Sequence, residues 1–243
     1  MRYAALTSSN DLSFMIKKVF SFELFGQEVW ITTSHICTLI VVLGLMIFCI
    51  IAGHTMKNAK EVPNGFQNVV ELIVEKLDGI VKGTMGKHAG PFSNYIGTVF
   101  IFILVSNISG LFGLRPPTAD YGVTLPLGIV TFFLIHIVQF TNNKPKEIWA
   151  DFCSPLPSWL PLWTPINLIS EIAVPISLSL RLFANVLSGT IMMALIYGLL
   201  SKLALIWPAA LHAYFDLFSG AIQTYVFCML TMTYITNAYG DAE

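Results

Sequence analysis

The sequence predicts an all-α polytopic membrane protein with five transmembrane helices and one amphipathic surface helix, its last two helices forming a long, strongly tilted hairpin. Three observations lead there. The 243 residues are 55% hydrophobic and only 11% charged, which excludes an ordinary soluble domain. Several apolar runs reach about 18 residues or more, enough to cross the hydrocarbon core of a bilayer. The lysines gather in a few stretches between those runs, as cytoplasmic loops do. A net charge of −1 offers no basic footprint, so no nucleic-acid partner is expected. The whole chain, 1–243, reads as one membrane domain.

Residues 1–33 are mixed and polar, without the short apolar core and small-residue cleavage site of a signal peptide. Trp30 marks the interface where the first span, 34–53, begins. Residues 54–94 then gather Lys57, Lys60, Lys76, Lys82 and Lys87. Within them Phe66, Val69, Val70, Ile73, Leu77, Ile80 and Val81 recur at helical spacing, an amphipathic helix suited to the membrane surface. The lysines place this loop in the cytoplasm and hence the N-terminus outside.

The second span covers 95–114 and ends at the turn Arg115-Pro116-Pro117-Thr118-Ala119-Asp120. The third covers 122–141, and Lys144 and Lys146 return the chain to the lysine-rich side. Pro155, Pro157, Pro161 and Pro165, with Trp159 and Trp163, forbid a continuous helix there and suit the headgroup region. Two apolar segments, 165–200 and 204–238, flank Ser201-Lys202 and close the chain with a cytoplasmic C-terminus. Each runs to roughly 34 residues, or ~50 Å if helical, against ~30 Å of hydrocarbon, so both must tilt.

Arg181 stands near the middle of the first of these segments, too deep to reach water comfortably and unable to shed its proton. It needs an anionic partner or a wet cavity. Ser177, Arg181, Asn185 and Ser188 follow one helix face, and small polar residues around a cation let another helix approach closely. Glu171 lies ten residues before Arg181, roughly 15 Å along a helix, so it is no direct partner. Asp216 could reach only by tertiary packing. A carboxylate on a different polypeptide is the more economical partner.

A second stripe, His212, Asp216, Ser219 and Gln223, lies on one face of the last segment. Antiparallel pairing could bring it near Thr190 and Glu171, giving a half-wet groove of carboxylates, hydroxyls and amides. Hard oxygen groups suit a proton or alkali cation more than a bulky organic substrate. For Ser219 and Gln223, plain interhelical hydrogen bonds are an equal alternative.

Other chemistries lack their residues. Cys37, Cys49, Cys153 and Cys228 form no C-x-x-C pair, and the five histidines no H-E-x-x-H pattern. Most of those histidines read as helix-end or packed residues. Gly83 to His88 lacks the spacing of a phosphate loop, so no nucleotide or other cofactor is expected.

At Ser177-Leu178-Ser179-Leu180-Arg181-Leu182-Phe183-Ala184-Asn185 the chain resembles subunit a of the bacterial F-type rotary ATP synthase. Phe25-Gly26 with Trp30-Ile31-Thr32, Ser106-Asn107 with Gly110-Leu111-Phe112, Pro117-Thr118-Ala119-Asp120, and Gln223 extend the likeness over nearly all of it. The resemblance implies a non-catalytic subunit of the bacterial cell membrane, partnered by a c-subunit ring, a b-subunit stalk, the rest of the complex and lipid. It implies two aqueous half-channels, with Arg181 facing the ring and attracting each arriving carboxylate. Asn185 and Gln223 match positions beside that arginine, and Glu171 and Asp216 match positions lining a half-channel. Thr190 stands where many members carry Glu or His, and Asp216 where His or Glu is frequent. Loss of a titratable group with oxygen ligands kept suggests a sodium path through Glu171, Thr190 and Asp216. The rival functions are a self-contained cation channel or secondary transporter, for which neither a gate nor an internal repeat is visible, and a membrane enzyme, for which no nucleophile–base set is visible.

Overall fold

A computed structural model describes residues 18–24, 27–57, 65–112, 114–146, 148, 164–199 and 207–240. The expectations for the proline-rich stretch 151–163, for Ser201-Lys202 and for the two chain ends lie outside the described residues.

The helical class holds, with one addition. Before the first span, β1 (Lys18–Leu24) pairs antiparallel with β2 (Gln27–Thr32), Leu24 opposite Gln27 and Phe22 opposite Val29. Among the described residues, five helical segments are then long and apolar enough to cross a membrane. Helix α1 (Thr33–Lys57) stands at the edge of the bundle, with Leu39, Ile47 and Ile50 exposed along it. In water that surface would be a liability; in a bilayer it is the expected lipid contact.

Helix α2 (Gly65–Met85) is the amphipathic element. Its last turns bury Val81 and Met85, while Phe66, Val69 and Val74 remain exposed. Gly86, at φ 53°, occupies the left-handed region that a side chain resists, and there α2 gives way to α3 (Ala89–Ile108). The helix that carries the expected second span, 95–114, therefore begins at Ala89. Pro91 does not prevent this, because the first-turn N–H it lacks has no helical acceptor anyway. Ser93 Oγ donates to Asp78 Oδ1 at 2.7 Å and ties α3 back to α2.

The turn between α3 and the next helix is compact, with Pro117, Thr118 and Ala119 all buried. Asp120 caps α4 (Tyr121–Asn142) by accepting from Gly122 N at 3.0 Å. Helix α5 (Thr164–Leu199) packs closely on α4: a β-carbon at Gly128 would lie 2.6 Å from the Pro175 carbonyl oxygen. The last segment comprises α6 (Trp207–His212), a π-helical stretch over Ala213–Ser219, and α7 (Gly220–Ala238), without a break in its helical backbone. Helix α7 is the centre of the core. Phe227, Met232 and Ile235 lie against Val99 and Ile103 of α3 and Leu178 and Leu182 of α5 in one apolar cluster.

Candidate functional site: the α5–α7 face

The two final helical segments run antiparallel, and their contacts fix the register. Gly189 packs on Phe215, its β-carbon position 3.6 Å from that ring, and Ser219 Oγ donates to Asn185 Oδ1 at 3.2 Å. Each step back along α5 is matched by a step forward along the last segment. One further turn on each side brings Arg181 level with Gln223. The chain's central cation and a buried amide thus share one height.

Arg181 is exposed on the flank of α5, whereas its neighbour Leu182 is completely buried. Among the described residues the guanidinium has no hydrogen bond or ion pair. Both acids considered as internal partners are otherwise engaged: Glu171 with His136, Asp216 with His212. Ser177 and Ser188 are exposed on the same helix, Asn185 half-buried. The predicted stripe is therefore an open face carrying an unanswered charge. Ser188 Oγ donates to Asn185 O and Thr190 Oγ1 to Leu187 O, at 2.9 and 2.8 Å, which spends both hydroxyl protons inside α5 and leaves only their lone pairs.

Asp216 sits in the π-helical stretch. Its Oδ2 lies 2.7 Å from His212 Nδ1, and its side chain is only 14% exposed. A π turn admits an extra residue into the helix and redirects the side chains around it, a distortion frequent at functional positions. Asp216 lies beside Gly110, where a β-carbon would come within 3.2 Å of the carboxylate carbon. Absence of a side chain at position 110 is what leaves room for the acid.

Sequence reasoning brings Glu171 and Asp216 toward one groove; the structure places them at opposite ends of the hairpin. The roughly 15 Å between Glu171 and Arg181 carries Glu171 to the lysine-rich side, opposite Tyr234 and Asn237 of α7. There its Oε2 lies 3.3 Å from His136 Nε2, in a cavity of about 190 Å³. His136 Nδ1 lies 2.9 Å from the Phe132 carbonyl oxygen. A carbonyl can only accept, so Nδ1 carries a hydrogen. Nε2 is the ring nitrogen that faces the carboxyl group.

Gln223 is buried, and its Nε2 has no hydrogen-bond partner among the described residues. A buried donor left unsatisfied costs about 1–3 kcal/mol. Asn107 is legible in the sequence only as part of a resemblance. Its Nδ2 donates to Gly220 O at 3.0 Å and Thr224 Oγ1 at 3.3 Å, while Oδ1 accepts from Thr118 Oγ1 at 2.6 Å. It pins the junction between the π stretch and α7 to the turn that carries Thr118. His136 reads in the sequence as one more packed histidine, since its partner stands 35 positions away and no local pattern joins them.

Comparison with known proteins gives the chain its relatives. Residues 35–236 match the family model described as ATP synthase A chain. A protein of Propionigenium modestum named "ATP synthase subunit a, sodium ion specific" is 35% identical over 229 residues, covering 88% of this chain and 76% of that one. "ATP synthase subunit a 2" of Syntrophotalea carbinolica is 34% identical over 237 residues, covering 96% and 97% respectively. "ATP synthase subunit a" of Limosilactobacillus fermentum is 32% identical over 239 residues, covering 90% and 96%.

Proposed function

Since the chain belongs to the ATP synthase A chain family, a multi-pass ion-translocating subunit of the bacterial membrane, we propose that Arg181 is the fixed charge past which a ring of ion-carrying carboxylates turns. The observation that carries this is the exposed guanidinium without an internal partner, on a helix face otherwise lined by small polar groups. A carboxylate arriving on a c-subunit ring would pair with it and release its ion. The permanent charge would also bar ions from crossing straight between the two sides. Each elementary charge falling through 100 mV supplies ~2.3 kcal/mol, and the ring would deliver that work to ATP-forming subunits elsewhere in the complex.

The two clusters support two half-channels. His212, Asp216 and Ser219 would serve the outer one, and Glu171 with His136 the inner one, with Arg181, Asn185 and Gln223 between them. This orientation follows from the lysines after α1 and α4, which set the C-terminus and the α2 surface helix on the cytoplasmic side. The length of the α5–α7 hairpin favours a strong tilt, following the curve of a ring. A stalk formed by b subunits would complete the membrane sector, and a subunit of this kind should copurify with both ring and soluble ATPase.

The coupling ion proposed is sodium. The Propionigenium modestum relative is described as sodium ion specific, and Thr190 supplies an oxygen where a titratable group is frequent in the family. ATP-driven uptake of sodium into inverted vesicles is expected to persist, or rise, when a protonophore collapses the proton gradient. Uptake that disappears with that gradient would assign the path to protons.

A further inference from the structure

A cleft of about 520 Å³ opens between α1, α2 and α3, away from the α5–α7 face. Its chemistry is graded. At the end near the lysine-rich side lie Asp78, Ser93 and Asn94; deeper come Cys49, Gly97 and Ile101. Asp78 is paired with Lys82, which stands one turn further along α2 outside the cleft lining with its side chain 67% exposed, so opposite charges stand side by side where Asp78 meets the cleft. The Asn94 amide is exposed and has no hydrogen-bond partner among the described residues. Gly97 leaves open space on the wall: a β-carbon there would meet nothing within 4 Å.

Length decides what kind of occupant fits. From Ser93 to Phe102, α3 rises ~13 Å, close to the ~15 Å that one leaflet contributes to a ~30 Å hydrocarbon core. A membrane-spanning helix of a neighbouring subunit would need a groove about twice as deep. The headgroup follows from the charges. A zwitterion lying antiparallel to the Asp78–Lys82 pair sets phosphate against ammonium and ammonium against carboxylate. A carboxylate accepts several hydrogen bonds, so Asp78 can hold Lys82, Ser93 and a further donor together.

We propose that this cleft binds one inner-leaflet phospholipid with a primary-ammonium headgroup, its phosphate at Lys82, its ammonium at Asp78 and Asn94, and an acyl chain along Cys49, Gly97 and Ile101. The inner-leaflet assignment rests on the membrane orientation proposed above; the ion path plays no part in it.

The test uses the intact complex in lipid nanodiscs with a phosphoethanolamine lipid carrying a photoactivatable acyl chain. Labelling is expected on peptides containing Cys49 or Ile101. A tenfold excess of unlabelled phosphoethanolamine lipid should lower that labelling about tenfold, whereas phosphocholine lipid, whose quaternary nitrogen has no N–H, should compete about tenfold less well, the value of one charge-assisted hydrogen bond. Gly97→Phe should empty the cleft while labelling on the exposed α4 face at Phe133 and Ile137 continues. Asp78→Asn, which keeps an acceptor for Ser93 and gives up an ion pair whose lysine is largely exposed, should erase the preference between the two lipids. Equal competition by both lipids in the unsubstituted complex overturns the proposal, as does cleft labelling unmoved by Gly97→Phe. A crosslink from Cys49 to another subunit's peptide also overturns it. In sealed vesicles, labelling by a probe confined to the outer leaflet overturns the inner-leaflet assignment, while Arg181-dependent synthesis would be untouched by any of these results.

Discussion

Replacing Arg181 with Ala is expected to abolish ion-driven ATP synthesis while the complex still assembles. Both halves of that statement come from the same geometry. The guanidinium is exposed and bonds to nothing among the described residues, so its truncation breaks no internal contact. A surface change of this kind moves stability by roughly 0.5 kcal/mol or less, and the thermal midpoint of the purified complex should barely shift. Function should fall far more. Removing one member of a desolvated charge pair costs about 3 kcal/mol or more, a loss of more than about hundredfold in rate. The Arg181→Lys variant should fail as well, because an ammonium lacks the planar fork and can be neutralised in an apolar setting. Synthesis measured in vesicles at fixed gradient, beside a thermal melt, separates the two effects. A normal yield of ATP from the Ala variant would remove the basis of the proposed function.

What could be read from the sequence depended on how far apart the interacting residues stand. Arg181 declares itself because a permanent charge inside a long apolar run is unusual whatever surrounds it. His212 and Asp216 are four residues apart, so periodicity alone puts them together, and the structure has them in contact. The π-helical stretch between them is invisible in the sequence, since positions 212, 216, 219 and 223 fit an ordinary helix equally well. The β1–β2 hairpin does leave a signal: Phe20-Ser21-Phe22-Glu23-Leu24 alternates with period two. That alternation is short and merges with the polar residues around it. His136 and Glu171 meet across two helices, and no arithmetic along the chain brings positions so distant into register. The separation of the two acids follows from the same cause. Period gives the face of each helix, but the height at which faces meet is set by packing, through contacts such as Gly189 on Phe215.

Substitution of Asn107 by Ala is expected to give the second large effect, through position and not through charge. The side chain is almost wholly buried and makes three hydrogen bonds, to Gly220 O, Thr224 Oγ1 and Thr118 Oγ1. Gly220 O keeps a second donor in Thr224 Oγ1 at 2.8 Å, but Thr118 is left with a buried hydroxyl and no acceptor. Loss of such a network costs about 2–4 kcal/mol, enough to lower the thermal midpoint of the complex visibly. Thr118 also holds the turn at 115–120, on the side proposed to be outer, whose Pro116 lies against Gly110, the residue that faces Asp216. Freed from that anchor, the turn would no longer hold the acid in place, and synthesis should require a higher ion concentration on the outer side. Thr118→Val keeps the volume and removes the hydroxyl, so it should partly reproduce the defect. If the two residues act as one network, the double variant loses less than the two single losses together, by about 1 kcal/mol or more. Strict additivity would show that Asn107 and Thr118 contribute separately, and the outer turn would then not be what positions Asp216.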